Sequence, residues 1–126
     1  MKISKQVLGH YIGYLTNFYI IDYNTPPEKL DDYYDFIMSL KKDVTNHQDL
    51  KTLRLGINYL LCHLEIDLED HGGLYPWDDE EVREILQYIL FVIWPDNSKI
   101  NCKEVEDIKL IDMSKFDWWK SRAVKL

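Results

Sequence analysis

The sequence predicts an all-α fold, a compact bundle of four main helices with a short fifth near the C-terminal end, in one domain over residues 1–126. Apolar residues recur at three- and four-residue spacing through four successive stretches, the signature of a buried helical face. Pro, Gly and helix-starting polar residues punctuate the intervals between them. The 126 residues are 46% hydrophobic and 13% aromatic, enough for one core, and no repeat or composition shift marks a second domain.

The first helix carries Val7, Leu8, Tyr11, Ile12, Leu15, Phe18 and Tyr19 on one face. Ser4 is its expected cap, and its end is expected near Tyr23. Thr25-Pro26-Pro27-Glu28 then reads as a capping box with proline at the first helical position. It opens a second helix with Leu30, Tyr33, Tyr34, Ile37, Leu40 and Val44 inward. A third helix is expected from near Asn46 through Leu50, Leu53, Ile57, Leu60, Leu61, Leu64 and Leu68, stopping at Gly72-Gly73. Residues Cys62 to Glu69 also alternate apolar and polar as a strand does, but the helical spacing running on from Leu50 favours helix.

The fourth helix has the best-marked start. Asp78 and Glu81 form a capping box, Trp77 is placed to staple onto Val82, and Asp79 and Glu80 complement the helix dipole. Val82, Ile85, Leu86, Ile89 and Ile93 make its buried stripe, widened by Leu90, Phe91 and Val92, which predicts a central position; Pro95 ends it. Val105, Ile108, Leu110 and Ile111 suggest a short extended segment near 103–112. Ser114 opens the last helix, with Met113 placed against Trp118.

No sequence pattern names a reaction, and no enzymatic activity and no cofactor are expected. Nucleophile-elbow glycines, a phosphate-cradling loop and a dinucleotide fingerprint are all missing from the sequence. His63, Asp67 and His71 sit at successive four-residue spacings that share a helix face, so a metal-dependent enzyme built on them is the alternative reading. The plainer reading of the cluster from His63 to His71 is a solvated acidic helix end. Cys62 and His63 are adjacent, and neighbouring side chains on a helix diverge, so they do not form a nucleophile and its base. Cys62 reads as a small core residue and Cys102 as a loop residue. His10 and His47 read as isolated surface or cap residues.

Two cysteines exclude a disulfide-stapled miniprotein and a four-thiolate zinc site, and both are expected as free thiols in a reducing compartment. The stretch from Val7 to Ile21 holds His10, Thr16 and Asn17 and lacks a small-residue cleavage site, unlike a signal peptide. No window is apolar enough for a membrane span. A cytoplasmic protein is the expectation, with its oligomeric state open.

The net charge of −7 argues against a partner of phosphates, and it is unevenly placed. Residues 65–84 hold nine acids, Glu65, Asp67, Glu69, Asp70, Asp78, Asp79, Glu80, Glu81 and Glu84, against Arg83 alone, a net of −8. Residues 1–64 balance, with seven acids and seven bases, while 99–126 carry seven bases and five acids. Leu74, Tyr75 and Trp77 lie inside the acidic run. Carboxylates that steer an encounter, beside aromatics that anchor it, suit a basic partner surface. The expected contact is therefore Leu74, Tyr75, Trp77, Asp78, Asp79, Glu80, Glu81 and Glu84. Capping alone would also account for the acids of 78–81, and stapling for Trp77.

Small size, acidity and the lack of a catalytic motif resemble the small bacterial immunity proteins of contact-dependent growth inhibition and colicin systems. That resemblance is one of type, with no diagnostic motif and no residue carried over. It implies binding to a cognate toxin with a basic surface, often a nuclease, at or near its active site, with no direct nucleic-acid or membrane partner. An acidic mimic of DNA phosphates is the other alternative, but it would spread its acids along a face rather than concentrate them.

Overall fold

Ile3 has nowhere apolar to go along its own short stretch of chain; it is buried by pairing with a strand more than a hundred residues away. Strand β1 (Lys2–Ser4) lies parallel to β2 (Lys109–Ile111), with Ile3 opposite Leu110. The computed structural model describes residues 1–13, 29–66 and 78–123. After β1 come helix α1 (residues 5–13), a 3-10 turn (Leu30–Tyr33) leading into α2 (Tyr34–Asn46), α3 (Leu50–Cys62) and α4 (Asp79–Ile93). A second 3-10 turn (Cys102–Val105), β2 and α5 (Lys115–Ala123) complete the order.

The protein is mostly helical but not purely all-α. The extended segment expected near 103–112 contains β2, whereas β1 was unexpected. Three residues are too few to show a strand period, and parallel partners so far apart leave no local turn signal. Ser4 does cap α1: its Oγ accepts from the Val7 amide (3.1 Å) and donates to the Met113 carbonyl (2.6 Å). It thereby joins helix start and strand pair. The later course of the first helix and the Thr25–Glu28 box lie outside the described residues.

Tyr33, Ile37, Leu40 and Val44 are buried as expected, but Leu30 and Tyr34 face outward. The 3-10 turn rotates residues 30–33 relative to an uninterrupted α-helix, so the extrapolated face is shifted. Asn46 belongs to the end of α2 and does not start α3. The Gln48 amide bonds the Thr45 carbonyl (3.0 Å) and the Asp49 amide the Val44 carbonyl (2.9 Å), a Schellman closure with Gln48 at φ 59°. Helix α3 then starts at Leu50.

Helix α3, not α4, is the most enclosed. Thr52, Leu53, Leu55, Gly56, Ile57, Asn58, Leu60 and Leu61 are all buried. Leu53, Ile57, Leu60 and Leu61 join the main core with α1, α2, α4 and Trp118, while Leu55 packs in a smaller core with Ile3, Val105 and Ile108. Helix α4 buries its predicted stripe but leaves Phe91 59% exposed. A Cβ on Gly56 would stand 2.7 Å from Leu8 Cδ1, so α1 and α3 approach closely there. Helix α4 ends at Ile93 before Pro95, as expected. The Ser114 hydroxyl accepts from the Asp117 amide (3.1 Å) to open α5.

The largest correction concerns α3 beyond Cys62. The helix expected to reach Gly72 stops there, because His63 leaves the helical conformation (φ −121°, ψ 77°). Its Nδ1 donates to the Tyr59 carbonyl (2.8 Å) and its ring stacks on Tyr59. Residues 67–77 lie outside the described residues. The cysteines are not free thiols either: Cys62 and Cys102 form a disulfide across a Cα separation of 5.7 Å. Docking of the 3-10 turn on α3 brings them together from 40 residues apart, and the thiol argument for a reducing compartment falls with it.

Candidate partner-binding surface

The start of α4 assigns different duties to its five acids. Asp78 Oδ1 accepts from the Glu81 amide (2.8 Å), and the Asp78 amide donates to Glu81 Oε1 (3.2 Å). Both carboxylates are thus committed to closing the helix end. Asp79 lies 3.7 Å from Arg83 Nη1. Arg83 directs its other terminal nitrogen to the carbonyls of Leu64 and Ile66, 3.1 Å from each, and so straps the stretch after α3 to α4. Glu80 and Glu84 remain, exposed, one turn apart and without an ion pair among the described residues.

The acidic surface continues across to the start of α2. Tyr88, one turn beyond Glu84, donates its hydroxyl to Asp31 Oδ1 (3.2 Å). Burial, and then that hydrogen bond, push the Tyr88 hydroxyl above its usual value of 10.0. Asp32 and Asp35 are exposed beside Asp31. Tyr34 stands near enough to Tyr88 to act on it electrostatically and is itself 49% exposed. With Phe91 one turn past Tyr88, the surface pairs unneutralised carboxylates with accessible aromatic rings. Hydrophobic periodicity places Tyr34 and Phe91 on buried faces and does not single out Tyr88, so sequence alone misses all three. The spacing of Glu84, Tyr88 and Phe91 along one helix stripe was the available signal.

Of the residues expected to make contact, Asp78, Asp79, Glu80, Glu81 and Glu84 share the first turns of α4. Leu74, Tyr75 and Trp77, with the Trp77 staple, lie outside the described residues. The metal alternative placed His63, Asp67 and His71 on a helix continuing past Cys62; α3 ends at Cys62, and His63 is the only one of the three among the described residues. Asp67 and His71 lie outside the described residues, and no group of three candidate metal ligands occurs among those described.

A second polar center was not anticipated. Asp49 precedes α3 but does not cap it with its side chain. Fully buried, its carboxylate accepts from the Tyr11 hydroxyl (2.5 Å), Trp118 Nε1 (2.9 Å) and Trp119 Nε1 (2.9 Å). Burial first, and the Asp49 bond second, hold the Tyr11 hydroxyl far above its ordinary range. His47 stacks on Trp119 at 4.0 Å and 9°, so it belongs to this cluster rather than standing isolated. His10 meets Trp119 edge-on, and burial followed by Lys115 lowers its pKa below 6.5. The arrangement ties α1, the α2–α3 corner and α5 together, with three donors satisfying a buried carboxyl group.

Comparison of the chain with protein-family models, curated proteins and solved structures found no match.

Proposed function

We propose that the chain is a stoichiometric protein inhibitor of the immunity type, which binds a cognate bacterial toxin with a basic surface and needs no cofactor. The observation that carries this reading is the division of labour at α4. Arg83 is turned to backbone carbonyls, leaving Glu80 and Glu84 exposed and unneutralised beside Asp31, Tyr34, Tyr88 and Phe91. Exposed carboxylates accelerate and orient the approach of a cationic partner, and aromatic rings supply contact energy once it has docked. Binding, not catalysis, is the activity this surface suits.

A cytoplasmic address forms part of the proposal; among the described residues no helix is long and apolar enough to cross a membrane. The reading predicts that the gene immediately upstream encodes the toxin and that the two purified proteins co-elute. Separate elution at micromolar concentrations, with the toxin left active, would exclude it.

A further inference from the structure

We propose that the Cys62–Cys102 disulfide is a reversible thiol–disulfide exchange site, opened by a dithiol that attacks Cys102 while the fold stays intact. The proposal does not depend on the partner reading. Its first support is an asymmetry of access. Cys62 is the last residue of α3, half-buried against the smaller core of Ile3, Leu55, Val105 and Ile108, whereas Cys102 is exposed at the opening of its 3-10 turn.

The second support is redundancy. The 3-10 turn would stay docked on α3 without the covalent bond. The Asn101 amide donates to Asn58 Oδ1 (3.2 Å), and Arg54 Nη2 bonds Glu104 Oε2 (2.8 Å). Val105 and Ile108 are buried against Leu55 of α3 and Ile3 of β1. After cleavage the two sulfurs are therefore held near each other, at a high effective concentration for reclosure.

In the forward step a thiolate of the dithiol attacks Cys102 Sγ, the Sγ–Sγ bond breaks, and Cys62 leaves as a thiolate that takes up a proton from water. The second thiolate of the reagent then attacks its own sulfur in the mixed disulfide and releases Cys102. The dithiol is oxidised to a disulfide, and the protein gains two thiols. The docked turn keeps the Cys62 sulfur beside the mixed disulfide, so Cys62 re-attacks Cys102 and expels the reagent unless a second reagent thiol intervenes. A monothiol accordingly opens the bond poorly, whereas a dithiol completes the reaction.

The test treats the oxidised full-length chain, without denaturant, with glutathione, dithiothreitol or a thioredoxin-class protein, followed by alkylation, mass spectrometry and amide exchange. Expected are two alkylated cysteines after dithiothreitol and at least about tenfold fewer after glutathione at equal thiol. The transient glutathione adduct, trapped in acid, should map to Cys102. The reduced chain should keep its far-UV circular dichroism, exchange faster at residues 60–66 and 100–104 than elsewhere, and reclose when the dithiol is removed. Reaction with the protein dithiol as well would assign a protein reductant, and reaction with dithiothreitol alone a small one. Free thiols after oxidant treatment, resistance to dithiothreitol until denaturant is added, an adduct on Cys62, or unfolding on reduction would each overturn the proposal.

Discussion

Asp49 keeps its carboxyl oxygens satisfied in the interior by gathering donors from residues 38, 69 and 70 positions away in sequence. Replacing it with alanine would strand the Tyr11 hydroxyl and two indole N–H groups, a loss of about 3 kcal/mol or more. Asp49→Asn, which keeps one acceptor oxygen, should cost less; urea titration followed by tryptophan fluorescence measures both. Next to it, Gln48 occupies the left-handed region at φ 59°, where a side chain costs about 1 kcal/mol relative to glycine. Gln48→Gly should therefore raise stability by about that amount. His10 gives a pH prediction of definite sign. Its pKa is lowered in the folded protein by burial and then by Lys115, so the unfolded chain binds the proton more tightly. Stability should be highest above pH 6.5 on this account and fall as pH drops through the folded value. His10→Phe should flatten that slope in chemical denaturation at a series of pH values.

Among the elements, α4 was legible because its start is written locally: Asp78 and Glu81 stand three apart, and the structure closes both halves of the box. Ser114 and α5 were legible for the same reason. Asp78→Ala should cost about 1 kcal/mol of stability, while Glu84→Gln, which touches no cap, should stay within about 0.5 kcal/mol; thermal melts of the two variants separate capping from the proposed contact. Non-local partners hid the rest. The end of α3 depends on His63 turning back to Tyr59 and on Cys62 meeting Cys102, and neither contact interrupts the leucine spacing that continues to Leu68. Strand β1 depends on Lys109–Ile111, and the outward turn of Tyr34 on a 3-10 entry that hydrophobic periodicity does not register. At the candidate surface, Glu80 and Glu84 were found from charge alone, but the strap from Arg83 to Leu64 and Ile66 required the fold.

For the whole molecule, two long-range closures stand out: the β1–β2 pair joins residues 2–4 to residues 109–111, and the disulfide joins the end of α3 to the second 3-10 turn across 40 residues. By loop entropy alone the disulfide should stabilise the folded state by about 4 kcal/mol. Reduction should lower the melting temperature measurably while leaving a folded protein. Cys62 and Cys102 bracket residues 63–101, which include most of the acid excess, so the covalent closure encloses the α4 part of the proposed contact surface, while Asp31 and Tyr34 join it from outside. The charge map agrees with a single interaction face, since residues 1–64 are balanced and the −8 of residues 65–84 exceeds the net charge of the entire protein. The most direct measurement of the central claim is the association rate of the chain with the product of the gene immediately upstream, across a salt series, for the wild type and for Glu80→Lys/Glu84→Lys. Carboxylate steering predicts an on-rate about tenfold lower in the variant and a flatter dependence on ionic strength. An unchanged on-rate with an unchanged salt slope would contradict the assignment of this surface.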